Sequence, residues 1–167
     1  MFRQRTRSIC LVATLQLLSL ASYGTTSHSM EHLDESRNYF IQLINDMRGP
    51  SYQISPDLVA ESVANAHAKD SCSLREPSHV AGGWDVYDRM DAAGITAQWK
   101  VALFGLTRGF EPDDWESRVE QMIDHFKGRA DTSAPLGNPQ YSRIGLGISL
   151  CVDQSHRFVL IFLSPPL

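Results

Sequence analysis

The sequence predicts an α+β fold in which a mainly antiparallel sheet is flanked by helices. Two observations carry this prediction. Through most of the chain, apolar residues recur at helical spacing behind residues that suit helix starts. The C-terminal end instead holds two strand-like segments separated by a turn. A length of 167 residues suits one domain with a sizeable core.

Composition and charge exclude several classes of protein. An apolar fraction of 43% and a charged fraction of 20% are typical of a globular chain. The formal net charge is −4, and the body of the chain carries no run of Lys or Arg. Nucleic-acid binding would require a basic face. We therefore expect a globular protein that does not bind nucleic acid.

Residues 1–24 are typical of a secretory signal peptide, which leaves residues 25–167 as the single domain. Three arginines precede an apolar run over residues 9–20, and small residues follow. The run is too short to span a membrane. Cleavage is expected after Ala21 or Gly24, with an uncleaved interfacial anchor as the alternative. No second apolar segment approaches membrane length, so we expect a secreted or periplasmic product without a transmembrane segment.

The cysteines fit an oxidising compartment. Cys10 leaves with the signal peptide, and Cys72 and Cys151 remain as an even pair. In a secreted protein such a pair favours a disulfide. Two buried thiols are the alternative.

The first half of the domain predicts two long helices. One spans residues 31–48 and stops at Gly49 and Pro50. The next begins at Ser55, which would cap it, with Pro56 in the first helical position, and runs to about residue 71. We expect its packing side to be Leu58, Ser62, Val63 and Ala66, beside a small-residue ridge of Ala60, Ala64 and Ala68 that permits close approach, with His67 at the edge, partly buried and hydrogen-bonded.

A Gly-rich loop carrying His79 follows, over residues 78–95. Asp85 suits the N-cap of a short helix, and Gly94 suits the position just past its end. His79 thus lies on a loop between packed elements, where chemistry is usually carried.

The second half predicts an extended segment, a helix, a long loop and two strands. Residues 95–106 are expected to be extended, and residues 129–140 to form a loop. The helix between them starts at about residue 112 and ends at Gly128. Its apolar stripe is Trp115, Val119, Met122 and Phe126, and the residues expected to face water are Glu116, Arg118, Glu120 and Asp124.

The closing strands give the clearest β signal. Large and small residues alternate over residues 144–152, which leaves one face nearly bare for another element or a ligand to lie against. A strand is predicted over residues 157–163, which are all apolar after Arg157, as is typical of a central strand covered on both faces.

Several of these segments, in this order, resemble the CAP superfamily, which comprises cysteine-rich secretory proteins, antigen 5 and pathogenesis-related 1 proteins, in its small bacterial SCP-domain form. The resemblance covers roughly residues 33–163 and implies an α-β-α sandwich. The segments that carry it are Leu43-Ile44-Asn45-Asp46-Met47-Arg48, Leu58 through Ala66-His67-Ala68, Ser78-His79, Asp88-Arg89, Ala93-Gly94 and Tyr141-Ser142-Arg143-Ile144-Gly145-Leu146-Gly147.

The resemblance also implies a cleft with two histidines and two acids that sometimes binds a divalent metal. His79 matches the first histidine. The usual acid falls near Trp99 and Lys100 and is lost, and Asp131 or Arg129 stands where the second histidine would be. The inherited polar cluster is therefore degraded.

Metal binding, hydrolysis and binding of an apolar ligand are the functions to weigh for this cleft. His79 and His125 could hold Zn²⁺ weakly, with an oxygen from Asp124, Asp131 or Glu111, although otherwise no cofactor is expected. For hydrolysis, Ser78 precedes His79, but adjacent residues rarely direct their side chains at one another as nucleophile and base, and the sequence has no Gly-x-Ser-x-Gly, His-Glu-x-x-His or Cys/His protease motif. Trp84, Tyr87, Trp99 and Phe104 could instead form an apolar wall beside His79.

We therefore expect an exported, non-enzymatic module that binds a lipid, another small apolar ligand or an extracytoplasmic protein. Its predicted ligand cleft consists of His79, Trp84, Trp99, His125 and Asp131. A metal-dependent hydrolase or peptidase using His79 is the alternative.

Overall fold

The computed structural model describes the backbone of residues 24–108 and 114–166, and the side chains of that range from residue 32 onward. Residues 1–23, which hold nearly all of the predicted signal peptide, lie outside this range, as do Glu111 and the predicted helix start at residue 112. In chain order the elements are α1 (Gly24–Arg48), β1 (Ser55–Pro56), α2 (Leu58–Asp70), a 3-10 turn (Ser71–Ser73), β2 (Val80–Ala81), β3 (Trp84–Asp85), α3 (Val86–Ala92), β4 (Lys100–Thr107), α4 (Trp115–Lys127), α5 (Ala130–Gly137), β5 (Arg143–Leu150) and β6 (His156–Leu163).

A four-stranded sheet in the order β1-β5-β6-β4 forms the middle of the fold. β6 pairs antiparallel with both β5 and β4, so that Ile161 lies between Gly145 and Ala102, and only the short β1 is parallel to its neighbour. The closing hairpin reaches the Trp99 segment, where the Ser164 amide donates to the Trp99 carbonyl at 3.0 Å. The predicted α+β class, the antiparallel hairpin and the central position of the last strand are confirmed.

Helices cover both faces of this sheet. On one face α1, α4 and α5 enclose a core with Leu103, Leu146 and Phe158 of the strands. On the other, α2 and α3 pack on Ala102, Val159 and their neighbours. Successive strand residues point to opposite faces, so that β4 and β6 contribute to both cores, while β5 presents glycines to α2. The result is the expected α-β-α sandwich.

The close approach of α2 to β5 depends on small residues on both elements. A β-carbon built at Gly145 or Gly147 would lie closer than 3.0 Å to the backbone of Ala60 or Ala64. The ridge predicted on α2 and the bare face predicted on β5 are therefore the two sides of one contact. A helix, and not a ligand, occupies that face.

Two side chains of α1 bind the backbone of other segments of the chain. The buried Arg48 guanidinium donates to the carbonyls of Pro135, Leu136 and Tyr141 at 2.6–2.9 Å, and burial lowers the pKa of Arg48. Asn45 exchanges hydrogen bonds with the backbone of Ile54. This explains physically why Asn and Arg stand three residues apart on this helix.

The predicted disulfide between Cys72 and Cys151 is present and closes a sequence separation of 79 residues. It fastens the turn after α2 to the connection between β5 and β6. Among the described residues no helix is long and apolar enough to cross a bilayer.

The predicted start of α2 needs correction. Ser55 and Pro56 form the short strand β1, and the cap is Asp57, whose carboxylate accepts from the amides of Val59 and Ala60. The strand arises because the Ser55 amide bonds to the Ser142 carbonyl, a contact between distant residues. Leu58 is 78% exposed, and Ser62 and Ala66 also face solvent, so the packing side of α2 is Ala60, Val63, Ala64, His67 and Ala68.

The region after α3 differs from the prediction in three places. β4 begins at Lys100, because residues 95–99 form the irregular connection from α3. Residues 130–137 of the predicted loop are helical although Pro135 removes one internal hydrogen bond, and Arg48 of α1 binds the carbonyls of Pro135 and Leu136 at the end of this helix. Arg118 is buried rather than facing water. Its partner there is His156, which lies far away in sequence.

Candidate functional site

The His79 loop is a short β-hairpin anchored at both ends. β2 and β3 are joined through Gly82, whose φ of +59° suits glycine. The His79 carbonyl accepts from the Val86 amide at 2.9 Å, and Asp85 caps α3 through the Tyr87 amide at 2.7 Å, so the predicted cap is present. Arg89 bridges Asp70 and the Ala81 carbonyl beneath the hairpin. The loop therefore has a fixed path.

The imidazole of His79 lies among aromatic rings. Its ring centroid is 4.7 Å from that of Phe104, in an edge-on arrangement, and 5.8 Å from that of Tyr87, nearly parallel to it. His79 itself remains exposed. We call these three side chains, His79, Tyr87 and Phe104, the aromatic surface.

His67 lies beneath this surface and is fully buried. Its Nε2 is 2.8 Å from the Ser78 carbonyl, and its ring is 5.4 Å from the Phe104 ring. Burial lowers the pKa of His67, so the ring is neutral. Its Nε2–H donates a hydrogen bond to the backbone carbonyl of Ser78. The residue supports the His79 loop. The prediction of a hydrogen-bonded histidine is confirmed, although the ring lies inside the packing face and not at its edge.

The two tryptophans of the predicted cleft occupy different places. Trp84 is 54% exposed on the hairpin that carries His79, with the exposed Val80 on the opposite strand. Trp99 is similarly exposed but precedes β4 and lies five residues before Phe104. At the usual rise of about 3.3 Å per residue this is about 16 Å along the chain. Trp84 therefore lies on the same hairpin as His79, whereas Trp99 lies on a different segment.

His125 and Asp131 lie on the other side of the sheet. His125 is exposed on α4, and its ring neighbour is Phe126, which belongs to the core under α1, α4 and α5. Asp131 is exposed at the start of α5 and paired with Arg129, a hydrogen-bonded contact that lowers the pKa of Asp131.

The structure thus does not bring His79 and His125 into one cleft. Phe104, which His79 contacts, points toward α2 and α3, while the adjacent Gly105 faces Met122 and Phe126 of α4. Within the described residues no group of three or more His, Cys, Asp or Glu side chains could hold a metal ion. The residues present do not fit the divalent site that the resemblance implied.

Two contacts of buried arginines near the end of β4 were not predicted from the sequence. Arg118 donates to the His156 ring at 2.8 Å; burial, and then the Arg118 charge, lower the pKa of His156 to about 4. On the other face Arg157 is almost fully buried beside Arg108. The only signal for the second contact was an arginine inside an otherwise apolar strand.

Comparisons with known proteins agree with this fold. No family model matches the sequence, and no curated protein matches it. An outer surface protein of Borrelia burgdorferi superposes with a TM-score of 0.63 at 15% identity, over 81% of this chain and 94% of that one. An extracellular SCP-domain protein of Bacillus anthracis gives a TM-score of 0.59 at 17% identity, over 78% of this chain and 41% of that one.

A cysteine-rich secretory protein of Staphylococcus aureus also gives a TM-score of 0.59, at 15% identity, over 81% of this chain and 38% of that one. This chain therefore spans about two fifths of the two longer proteins. At such low identity the likeness concerns the fold alone. The chain has the CAP-superfamily fold, with aromatic side chains around the histidine that the resemblance had placed in a polar cleft.

Proposed function

We propose that this protein is an exported, non-enzymatic CAP-fold module that binds a small apolar ligand, such as a lipid, at the aromatic surface. The observation that carries the proposal is the arrangement of His79. Its ring packs on Tyr87 and Phe104 yet stays exposed, so a ligand can reach a preformed group of rings. Rings of this kind offer a large contact area at little cost in side-chain entropy.

An exposed tryptophan on the same hairpin supports the same function. Trp84 is about half exposed on the hairpin that carries His79, whereas the exposed Val80 pairs with Asp85 and points to the opposite face. A tryptophan offers a large apolar area for contact with a ligand. The rigid path of the hairpin would hold Trp84 in place for contact with a ligand.

Export is supported by three observations. The N-terminal residues have the pattern of a signal peptide. The disulfide between Cys72 and Cys151 is of a kind that persists in oxidising compartments. Proteins of similar fold include one described as extracellular and one described as an outer surface protein.

Binding of a fluorescent fatty acid or sterol to the mature protein tests this function. We expect saturable binding that falls about tenfold or more for His79→Ala and for Trp84→Ala, because each removes a ring or an apolar contact from the surface. Trp99→Ala is the matched control, since it removes an equally exposed tryptophan elsewhere and should leave the affinity unchanged. Equal affinity in all four proteins would contradict the proposed site.

The alternative function, a hydrolase or peptidase, is tested by a cleavage assay on the same protein variants. If the protein cleaved casein or a peptide library, and a chelator or His79→Ala stopped the cleavage, the function would be catalytic. We expect no turnover, because His79 packs on the rings of Tyr87 and Phe104, and the described part of the chain holds no group of three or more His, Cys, Asp or Glu side chains that could bind a metal ion.

A further inference from the structure

Two guanidinium groups meet at consecutive backbone carbonyls after the 3-10 turn. Nη2 of Arg157 donates to the Leu74 carbonyl at 2.5 Å, and Nη2 of Arg108 donates to the Arg75 carbonyl at 3.2 Å. Arg157 comes from β6, directly opposite Leu106 of β4, and Arg108 follows β4. The sheet register thus brings two positive charges to neighbouring carbonyls, although they lie 49 residues apart in sequence.

Arg157 is the more unusual of the two. It is only 2% exposed, and its Nε and Nη1 have no hydrogen-bond partner in the described part of the chain. There, no carboxylate lies within 4.0 Å of Arg157 or of Arg108. The carboxylate of Asp153 is hydrogen-bonded to Ser155; those bonds, and more weakly the two arginines, lower the pKa of Asp153.

Asp153 supplies a negative charge nearby but no direct ion pair within 4.0 Å, and a buried guanidinium without a direct counter-ion is costly. A buried charge is normally paired, and a guanidinium does not escape the cost by losing its proton. The second cation beside it adds repulsion. An oxyanion would accept the N–H groups that have no partner and neutralise both charges, since arginine suits carboxylate and phosphate oxygens.

We propose that Arg157 and Arg108 form a binding site for an oxyanion, a phosphate or carboxylate group, under residues 74–76. These covering residues lie outside helices and strands, and Arg75 and Glu76 among them are exposed, so an anion can approach from their side. The site is distinct from the aromatic surface and does not depend on the proposed function.

Thermal unfolding of the mature protein in phosphate, with ionic strength held constant by chloride, tests the site. At a phosphate concentration ten times its dissociation constant we expect the wild-type Tm to rise by about 4 °C. Arg157→Met should lose this rise, and Arg108→Met should reduce it. Lys127→Met is the control, because it removes an exposed cation on α4 and should keep the full rise.

The experiment remains decisive if Arg157→Met does not fold, because Arg108 is exposed and its replacement leaves the core intact. Titration calorimetry of wild type and Arg108→Met with inorganic phosphate then gives the same comparison. No phosphate effect on the wild-type Tm, or an equal effect in the arginine variants, would overturn the proposal.

Two further arms separate the sources of the anion. Acetate in place of phosphate shows whether a carboxylate suffices. Flotation with phosphatidylglycerol vesicles, against phosphatidylcholine vesicles, shows whether a lipid headgroup occupies the site. Flotation that requires Arg108 identifies a headgroup site, and a Tm rise in phosphate without flotation identifies a site for a free anion.

Discussion

Gly145 of β5 faces Ala60 of α2 so closely that a β-carbon on the glycine would lie less than 3.0 Å from the Ala60 backbone. Neither partner can retreat, because α2 is also packed on β6 and β5 is held between β1 and β6. This contact fixes the separation of the sheet from the helix that carries His67.

Gly145→Ala should therefore destabilise the protein by about 3 kcal/mol or more, since overpacking against backbone cannot be relieved by a rotamer change. Urea unfolding of the mature protein measures the change. Gly137→Ala is the control, because a β-carbon there meets nothing within 4 Å, and its effect should stay below about 1 kcal/mol. Equal effects in both variants would show that α2 does not approach β5 as described.

The disulfide should contribute strongly to stability. With a sequence separation of 79 residues, opening it is expected to cost about 4 kcal/mol in the chain-entropy model. The comparison is the free energy of unfolding of wild type against the Cys72→Ser, Cys151→Ser double variant. Two titratable thiols in denatured, unreduced wild type would contradict the presence of the bond.

Arg48→Met should cost about 2–4 kcal/mol, because it leaves the carbonyls of Pro135, Leu136 and Tyr141 without their donor. Urea unfolding again supplies the measurement, and hydrogen exchange in α5 should speed up. Arg129→Met removes an exposed arginine at the start of the same helix and should change neither quantity. Unchanged exchange in Arg48→Met would show that Arg48 does not hold α5.

Acid should weaken the fold through His156. Its pKa is lowered from the ordinary 6.5 to about 4, so the folded protein favours the neutral ring. The contribution of the neutral His156 ring to the free energy of unfolding is fully present above pH 6.5. It is lost as the pH falls toward 4, because the unfolded chain takes up the proton first. Allowing for partial exposure, we expect a loss of about 2 kcal/mol over this interval.

His156→Gln keeps an acceptor for Arg118 without the titration, so its stability should fall less between pH 6.5 and 4 than that of the wild type. The buried His67 acts in the same direction and leaves a residual slope in both proteins. Unfolding free energies at four pH values in this range give the comparison. Parallel curves for the two proteins would assign the acid sensitivity elsewhere.

Local patterns in the sequence predicted much of the fold. The alternation along β5, the small ridge of α2, the Asp85 cap and the cysteine pair each depend on neighbours or on simple chemistry, and all are present. The errors fall where distant residues decide. Ser55, predicted to cap a helix, lies in a strand because it pairs with Ser142. Arg118, predicted to face water, is buried beside His156.

The candidate site was less predictable for the same reason. Whether His79 and His125 meet depends on which face of β4 each approaches, and this changes with every residue along a strand. Phe104 and Gly105 are adjacent in sequence, yet Phe104 faces α2 and α3 while Gly105 faces α4. The cluster of Arg108 and Arg157 likewise exists only through the register of β4 with β6.

Calorimetric titration of the mature protein with Zn²⁺ tests the separation of His79 and His125 most directly. The titration is repeated with His79→Ala and His125→Ala. Because the sheet lies between these side chains, we expect no stoichiometric site that either substitution abolishes. One equivalent of Zn²⁺ bound by the wild type and lost in both variants would place the two imidazoles in a single cleft and contradict the structure described here.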